Sequence, residues 1–87
     1  MTNVEIYTTA MCGFCSAAKR LLDSKGIEFI EKDVSSDQEA RVQMIDRSGG
    51  RRSVPQIFIN GESIGGCDEL YELESNNKLN ELIGIGN

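Results

Sequence analysis

A short β-prone run, Val4-Glu5-Ile6-Tyr7, gives way within a few residues to Cys12-Gly13-Phe14-Cys15 and then to an alanine-rich run with helical spacing. No other stretch constrains the fold as much. Two thiols separated by two residues at a strand-to-helix turn can close one small disulfide ring. The outer thiol then stands at a helix N-terminus, where the positive end of the dipole stabilises its thiolate. Residue type and position together point to thiol–disulfide exchange.

The remaining pattern builds an α/β domain. Ser16 to Lys25 reads as a helix whose first turn begins near Gly13, with Ala18, Leu21 and Leu22 as its apolar stripe and Gly26 just past its end. Ile27-Glu28-Phe29-Ile30 reads as a second strand. Ser36-Asp37-Gln38-Glu39 matches a capping box, which predicts a second helix to about Arg47 with Ala40, Met44 and Ile45 inward. Ser48-Gly49-Gly50 ends it. Gln56-Ile57-Phe58-Ile59, Asn60-Gly61 and Glu62-Ser63-Ile64 then spell a hairpin, since Asn-Gly suits the tight turn between paired strands. After Gly65-Gly66, Asp68 is expected to cap a third helix through about Glu74, and Lys78 to Ile83 adds a last turn or two before Gly84. The order is β-α-β-α-β-β-α. A parallel, right-handed βαβ unit followed by an antiparallel pair gives a mixed four-stranded sheet with helices on both faces. No linker or repeat interrupts residues 1–87, which read as one domain.

Composition removes several function classes. Hydrophobic residues are 39% of the chain and charged residues 26%, as in ordinary soluble domains. The formal charge of −5 and the lack of a basic stripe argue against nucleic acid. No apolar stretch nears the roughly 20 residues that cross a bilayer, and the N-terminus shows no secretory signal. The chain has three cysteines and no histidine, which suits neither a disulfide framework nor a four-ligand zinc site. A reducing cytoplasm is the expected compartment.

An unperturbed thiol is only about 3% thiolate at neutral pH, so a redox cysteine needs help. Without histidine, the helix end must supply most of it at Cys12, joined by Lys19. Cys15, one turn inside the helix, is more shielded. Cys12 is therefore the candidate nucleophile and Cys15 the resolving thiol. Ser53-Val54-Pro55 precedes the third strand, where a Pro is compatible with a cis bond and a turn that offers the Val54 backbone to an extended peptide. In Gly65-Gly66-Cys67-Asp68 the glycines allow close backbone approach, Asp68 can pair with an ammonium, and the helix N-terminus can hold an anion. Cys67 itself reads as a small buried apolar residue.

A strand followed by Cys-x-x-Cys, the Val54-Pro55 turn, Asn60-Gly61, and Gly65-Gly66-Cys67-Asp68 before a helix together resemble glutaredoxin, over essentially the whole chain. The resemblance implies a thioredoxin-like fold and reduction of protein disulfides and glutathione mixed disulfides at the expense of glutathione. It also implies a cis bond at Pro55, with the cysteinyl backbone of glutathione at Val54. The γ-glutamyl end would meet Gly66, Cys67 and Asp68, and the glycine carboxylate a nearby basic residue, Arg51 or Arg52. Ser53, Phe14 and Thr9 complete the expected glutathione-binding set. The chain departs from the family pattern in carrying Gly13-Phe14 where Pro-Tyr is usual. Thr9 stands in place of a lysine that many relatives carry, and there is an extra residue around Gly49-Gly50.

Two other readings follow from the same residues. Gly13 resembles the open turn of relatives that hold a [2Fe–2S] cluster between two monomers, with Cys12 of each chain and two glutathione thiols as ligands. Otherwise a monomer is expected. The alternative redox partner is a flavoprotein reductase, as for a thioredoxin, although Gly65-Gly66-Cys67-Asp68 favours glutathione.

Overall fold

In the computed structural model, which describes residues 2–84, Val4–Thr8 forms strand β1 and Gly13–Ser24 forms helix α1. They are followed by β2 (Ile30–Asp33), α2 (Gln38–Arg47), β3 (Gln56–Ile59), β4 (Glu62–Gly65), α3 (Cys67–Ser75) and α4 (Lys78–Ile83). The strands lie in the order β2-β1-β3-β4. β1 is parallel to β2 and antiparallel to β3, and β3 pairs antiparallel with β4. This is the mixed sheet the sequence predicts.

Side chains alternate across a strand, so the two central strands serve both faces. On one face Val4, Ile6, Ile57 and Ile59 pack with Ala18 and Leu22 of α1, Leu70 of α3 and Leu79 of α4. On the other, Tyr7 and Phe58 pack with Val34 and with Met44 of α2. Each fully buried Leu or Ile in such a core stabilises the fold by about 1.5–3 kcal/mol relative to exposure. The helices therefore cover both faces, with α1 and α3 together on the first.

The second strand begins later than the sequence pattern suggests. Gly26, at φ +70°, ends α1 in a left-handed turn. Its N–H donates to the Asp23 carbonyl at 3.0 Å, and the Ile27 N–H donates to the Leu22 carbonyl at 2.9 Å. This pair of bonds is a Schellman stop, and its usual apolar contact is made by Ile27, buried in the core. Ile27 thus serves the helix end, and pairing with β1 starts only at Ile30 opposite Glu5. The second helix also starts one residue later than a Ser36 cap would give. Asp37 is the N-cap, its Oδ1 accepting the Ala40 N–H at 3.1 Å.

The α2 face carries a charged cluster over its aromatic core. The Glu5 carboxylate accepts from Arg47 Nη2 at 2.8 Å and from Lys32 Nζ at 3.0 Å. Arg47 also donates to the Tyr7 hydroxyl at 2.8 Å and lies 4.2 Å over the Phe58 ring. The Arg47 hydrogen bond, with Lys32 adding to it, holds the Glu5 carboxyl below its ordinary value against the opposing effect of burial. A depressed folded-state pKa contributes stability that is complete above the unfolded value and is lost as pH falls through the folded one. Melting temperature should therefore fall as pH drops below about 4.5, and less steeply in Glu5→Gln, because that substitution removes one titrating group. Equal slopes for the two proteins in thermal melts across this range would refute the assignment.

Candidate active site

The β1-to-α1 turn places the two thiols. Cys12 is the N-cap of α1, with extended backbone, and its Sγ accepts the Cys15 N–H at 3.1 Å. No acidic side chain occupies the first turn, so the positive helix end faces that sulfur unopposed. Cys12 and Cys15 are joined as a disulfide, their Cα atoms 5.2 Å apart. Cys15 is 2% exposed, while Cys12 keeps partial access. The outer sulfur is the one a bulky disulfide can approach. Lys19 does not join the site as expected: its ammonium pairs with Glu31 at 2.9 Å, and the same carboxylate oxygen takes the Thr8 hydroxyl at 2.7 Å. An opposite charge within reach on β2 outcompetes a thiol for it.

The segment before β3 forms the facing wall. The Val54-Pro55 bond is cis. Cys12 Sγ lies 4.0 Å from the Val54 carbonyl oxygen. Behind the turn, Gln56 is fully buried, and its Nε2 donates to the Ser53 carbonyl at 3.0 Å and to the Ser53 hydroxyl at 3.3 Å. This brace was not expected from the sequence. Its only signal there is a lone polar residue in the run Gln56-Ile57-Phe58-Ile59.

The third wall is the start of α3. Its N-cap is Gly66 rather than Asp68, which falls inside the first turn with Glu69. Glu69 performs the capping: its Oε1 accepts the Gly66 N–H at 2.6 Å. That bond, aided by the Arg51 charge, holds the Glu69 carboxyl below its ordinary value. Gly66 suits the close approach here, since a Cβ there would lie 3.0 Å from the Pro55 carbonyl oxygen, tighter than ordinary contact. Cys67 is 8% exposed. Burial pushes its thiol up, and the charges of Asp68 and Glu69 push the same way, which disfavours the thiolate that attack would need.

These three pieces enclose a cleft of about 200 Å³. Phe14 lines it from α1, Arg51, Ser53, Val54 and Pro55 from the segment before β3, and Gly66, Cys67, Asp68 and Glu69 from the start of α3. Two residues expected there lie elsewhere. Thr9 follows β1 half-buried, and its short side chain does not reach the cleft. Arg52 is exposed and does not line the cleft. Glu69 was missed, although its spacing three residues after Gly66 is that of a capping acid.

A mixed βαβαββα sheet with an N-capping cysteine, a buried partner thiol and a cis-proline turn opposite defines a thioredoxin-like thiol–disulfide oxidoreductase. The glutaredoxin family model matches residues 4–64. Glutaredoxin 3 of Escherichia coli strain K12 is 49% identical over 83 residues, spanning 95% of this chain and 99% of that protein. The solution structure of glutaredoxin from Brucella melitensis superposes with a TM-score of 0.84 at 48% identity, covering 100% of this chain and 94% of that one. A crystal structure of a buckwheat glutaredoxin–glutathione complex superposes with a TM-score of 0.86 at 27% identity, covering 95% of this chain and 77% of that one. The chain belongs to the glutaredoxin family.

Proposed function

We propose that this chain reduces protein disulfides and glutathione mixed disulfides at the expense of glutathione, in the cytoplasm and as a monomer. The observation that carries the reading is the cleft running from Val54, 4.0 Å from Cys12 Sγ, to the start of α3. It offers the Val54 backbone at the cis-proline turn, a helix N-terminus beside Asp68, and one guanidinium, that of Arg51. Those groups match a γ-glutamyl tripeptide with a backbone to pair, an α-amino acid head and a second carboxylate. The buckwheat relative solved with glutathione supports the same occupant.

The chemistry follows from the positions of the sulfurs. The Cys12 thiolate attacks the glutathione sulfur of a glutathionylated protein, the S–S bond breaks, and the protein thiolate leaves and takes up a proton. A second glutathione thiolate attacks the Cys12–glutathione bond, releasing glutathione disulfide and restoring Cys12. With a protein disulfide, Cys12 forms a mixed disulfide with the substrate. Cys15 then attacks Cys12, frees the reduced substrate and leaves the Cys12–Cys15 bond for two glutathiones to reduce.

Recycling the oxidised chain with glutathione plus glutathione reductase, against thioredoxin reductase alone, tests the reading. Turnover with glutathione should exceed the other by at least about tenfold. The reverse order would assign the chain to a thioredoxin-type cycle and overturn the proposal. The cluster-binding reading draws on Gly13, where an added Cβ would meet nothing within 4 Å. Among the described residues no three His, Cys, Asp or Glu side chains converge as a metal site. Cys12 is the one thiol here that could ligate such a cluster, the rest coming from a second copy and bound glutathione.

A further inference from the structure

Arg51 is the one cationic side chain that lines the cleft, against two carboxylates, Asp68 and Glu69. One positive and two negative charges leave the cleft with a formal charge of −1, although its proposed ligand is itself an anion. The cation is also engaged. Arg51 Nη2 donates to Glu69 Oε1 at 3.3 Å, and the Gly66 N–H fixes that same oxygen at 2.6 Å. Gly65 makes room for the pair. A Cβ there would stand 2.6 Å from Glu69 Oε1 and 2.9 Å from Arg51 Nη1, at a φ of +108° that disfavours any side chain. Asp68, by contrast, is exposed and makes no ion pair among the described residues.

We propose that Glu69 masks Arg51, so that the cleft takes glutathione by its backbone and γ-glutamyl head with little hold on its glycine carboxylate. The inference rests on the glutathione reading above and makes Glu69 a specificity-determining residue of that site. A ligand carboxylate reaching Arg51 must replace a carboxylate already held in place by the α3 backbone. Attraction gained is therefore offset by attraction lost. The unpaired charge left to the ligand is that of Asp68, which suits an ammonium.

The test compares glutathione with its glycine monoethyl ester, which keeps the thiol and the γ-glutamyl head but lacks the glycine charge. KM for each is measured in the glutathione-coupled assay with wild type, Glu69→Gln and the double variant Arg51→Ala, Glu69→Gln. Gln retains an oxygen to accept the Gly66 N–H, so the cap is preserved. Wild type should give the two ligands KM values within about twofold. Glu69→Gln should favour the free acid by about fivefold, the upper weight of a partly exposed charge pair. The double variant should return the ratio to near one. A wild type that already favours the acid about fivefold, a Glu69→Gln ratio equal to wild type, or discrimination that survives the loss of Arg51 would each overturn the mask. The wild-type ratio needs no variant, so the proposal can fail even if Glu69→Gln does not fold. If neither ligand saturates wild type, the glutathione reading falls and the mask with it. The other failures leave saturable kinetics and are distinct.

Discussion

Cys12→Ser should reduce turnover of glutathionylated substrates to background, a loss of at least about a thousandfold of the kind seen when an enzyme's nucleophile is removed. A serine hydroxyl at the same helix end keeps the geometry but stays protonated at neutral pH and forms no disulfide. Cys15→Ser should behave differently. Reduction of glutathione mixed disulfides needs only Cys12 and a second glutathione, so it should persist within a few-fold. Reduction of protein disulfides should fall much further, because the mixed disulfide with Cys12 loses its internal resolving thiol. Cys67→Ser should follow neither pattern, since its thiol is buried and raised by its surroundings. Steady-state rates of the three variants with a glutathionylated peptide and with a protein disulfide decide the roles. A fully active Cys12→Ser would sink the assignment, and equal loss from Cys12→Ser and Cys15→Ser on the glutathionylated peptide would show that the chain works only through its dithiol.

Much of this site was legible because its elements are local. Cys12 and Cys15 share one turn, Val54 and Pro55 are adjacent, and Gly66 to Asp68 are consecutive, so residue type and order announced each piece. The apolar runs at Val4 to Tyr7 and Gln56 to Ile59 likewise marked the two strands that the sheet buries, and both of their faces are covered. What escaped was pairwise and distant in sequence. Lys19 was free to face Cys12 until β2 brought Glu31 to it. Arg51 and Arg52 looked equivalent until the fold set Arg51 against Glu69 at the cleft and left Arg52 outside its lining. Glu69 serves both as a cap and as the partner of Arg51, 18 positions earlier. The misplaced start of β2 has the same origin. Ile27 is β-branched and fits a strand by propensity, but the Schellman bond to Leu22 claims it first.

Phe58→Ala should be the most damaging substitution outside the redox site, at about 3–5 kcal/mol. Phe58 lies on β3 between β1 and β4 and is fully buried. Its ring meets Tyr7 edge to face at a centroid distance of 5.5 Å and carries the Arg47 guanidinium at 4.2 Å. Truncation leaves a void between sheet and α2. It also removes the aromatic surface under a cation that Glu5 has drawn into a half-buried position, so the charged cluster loses support along with the core. For a chain of 87 residues, total stability is about 4–13 kcal/mol, so this one change removes a large share of it. A fall in melting temperature of at least about 12 °C is expected. Phe58→Leu keeps most of the volume and should cost roughly half as much or less. Val54 packs against the same cluster as this ring, whereas Cys67 and Leu70 at the start of α3 pack on the opposite face, so turnover per folded molecule should fall only a few-fold at a temperature where the variant is still folded. Chemical denaturation and glutathione-coupled rates on the same samples separate the two effects. A Phe58→Ala protein that melts within a few degrees of wild type would show that the α2 face contributes little. The Glu5–Arg47–Tyr7 cluster would then be held by the charges alone.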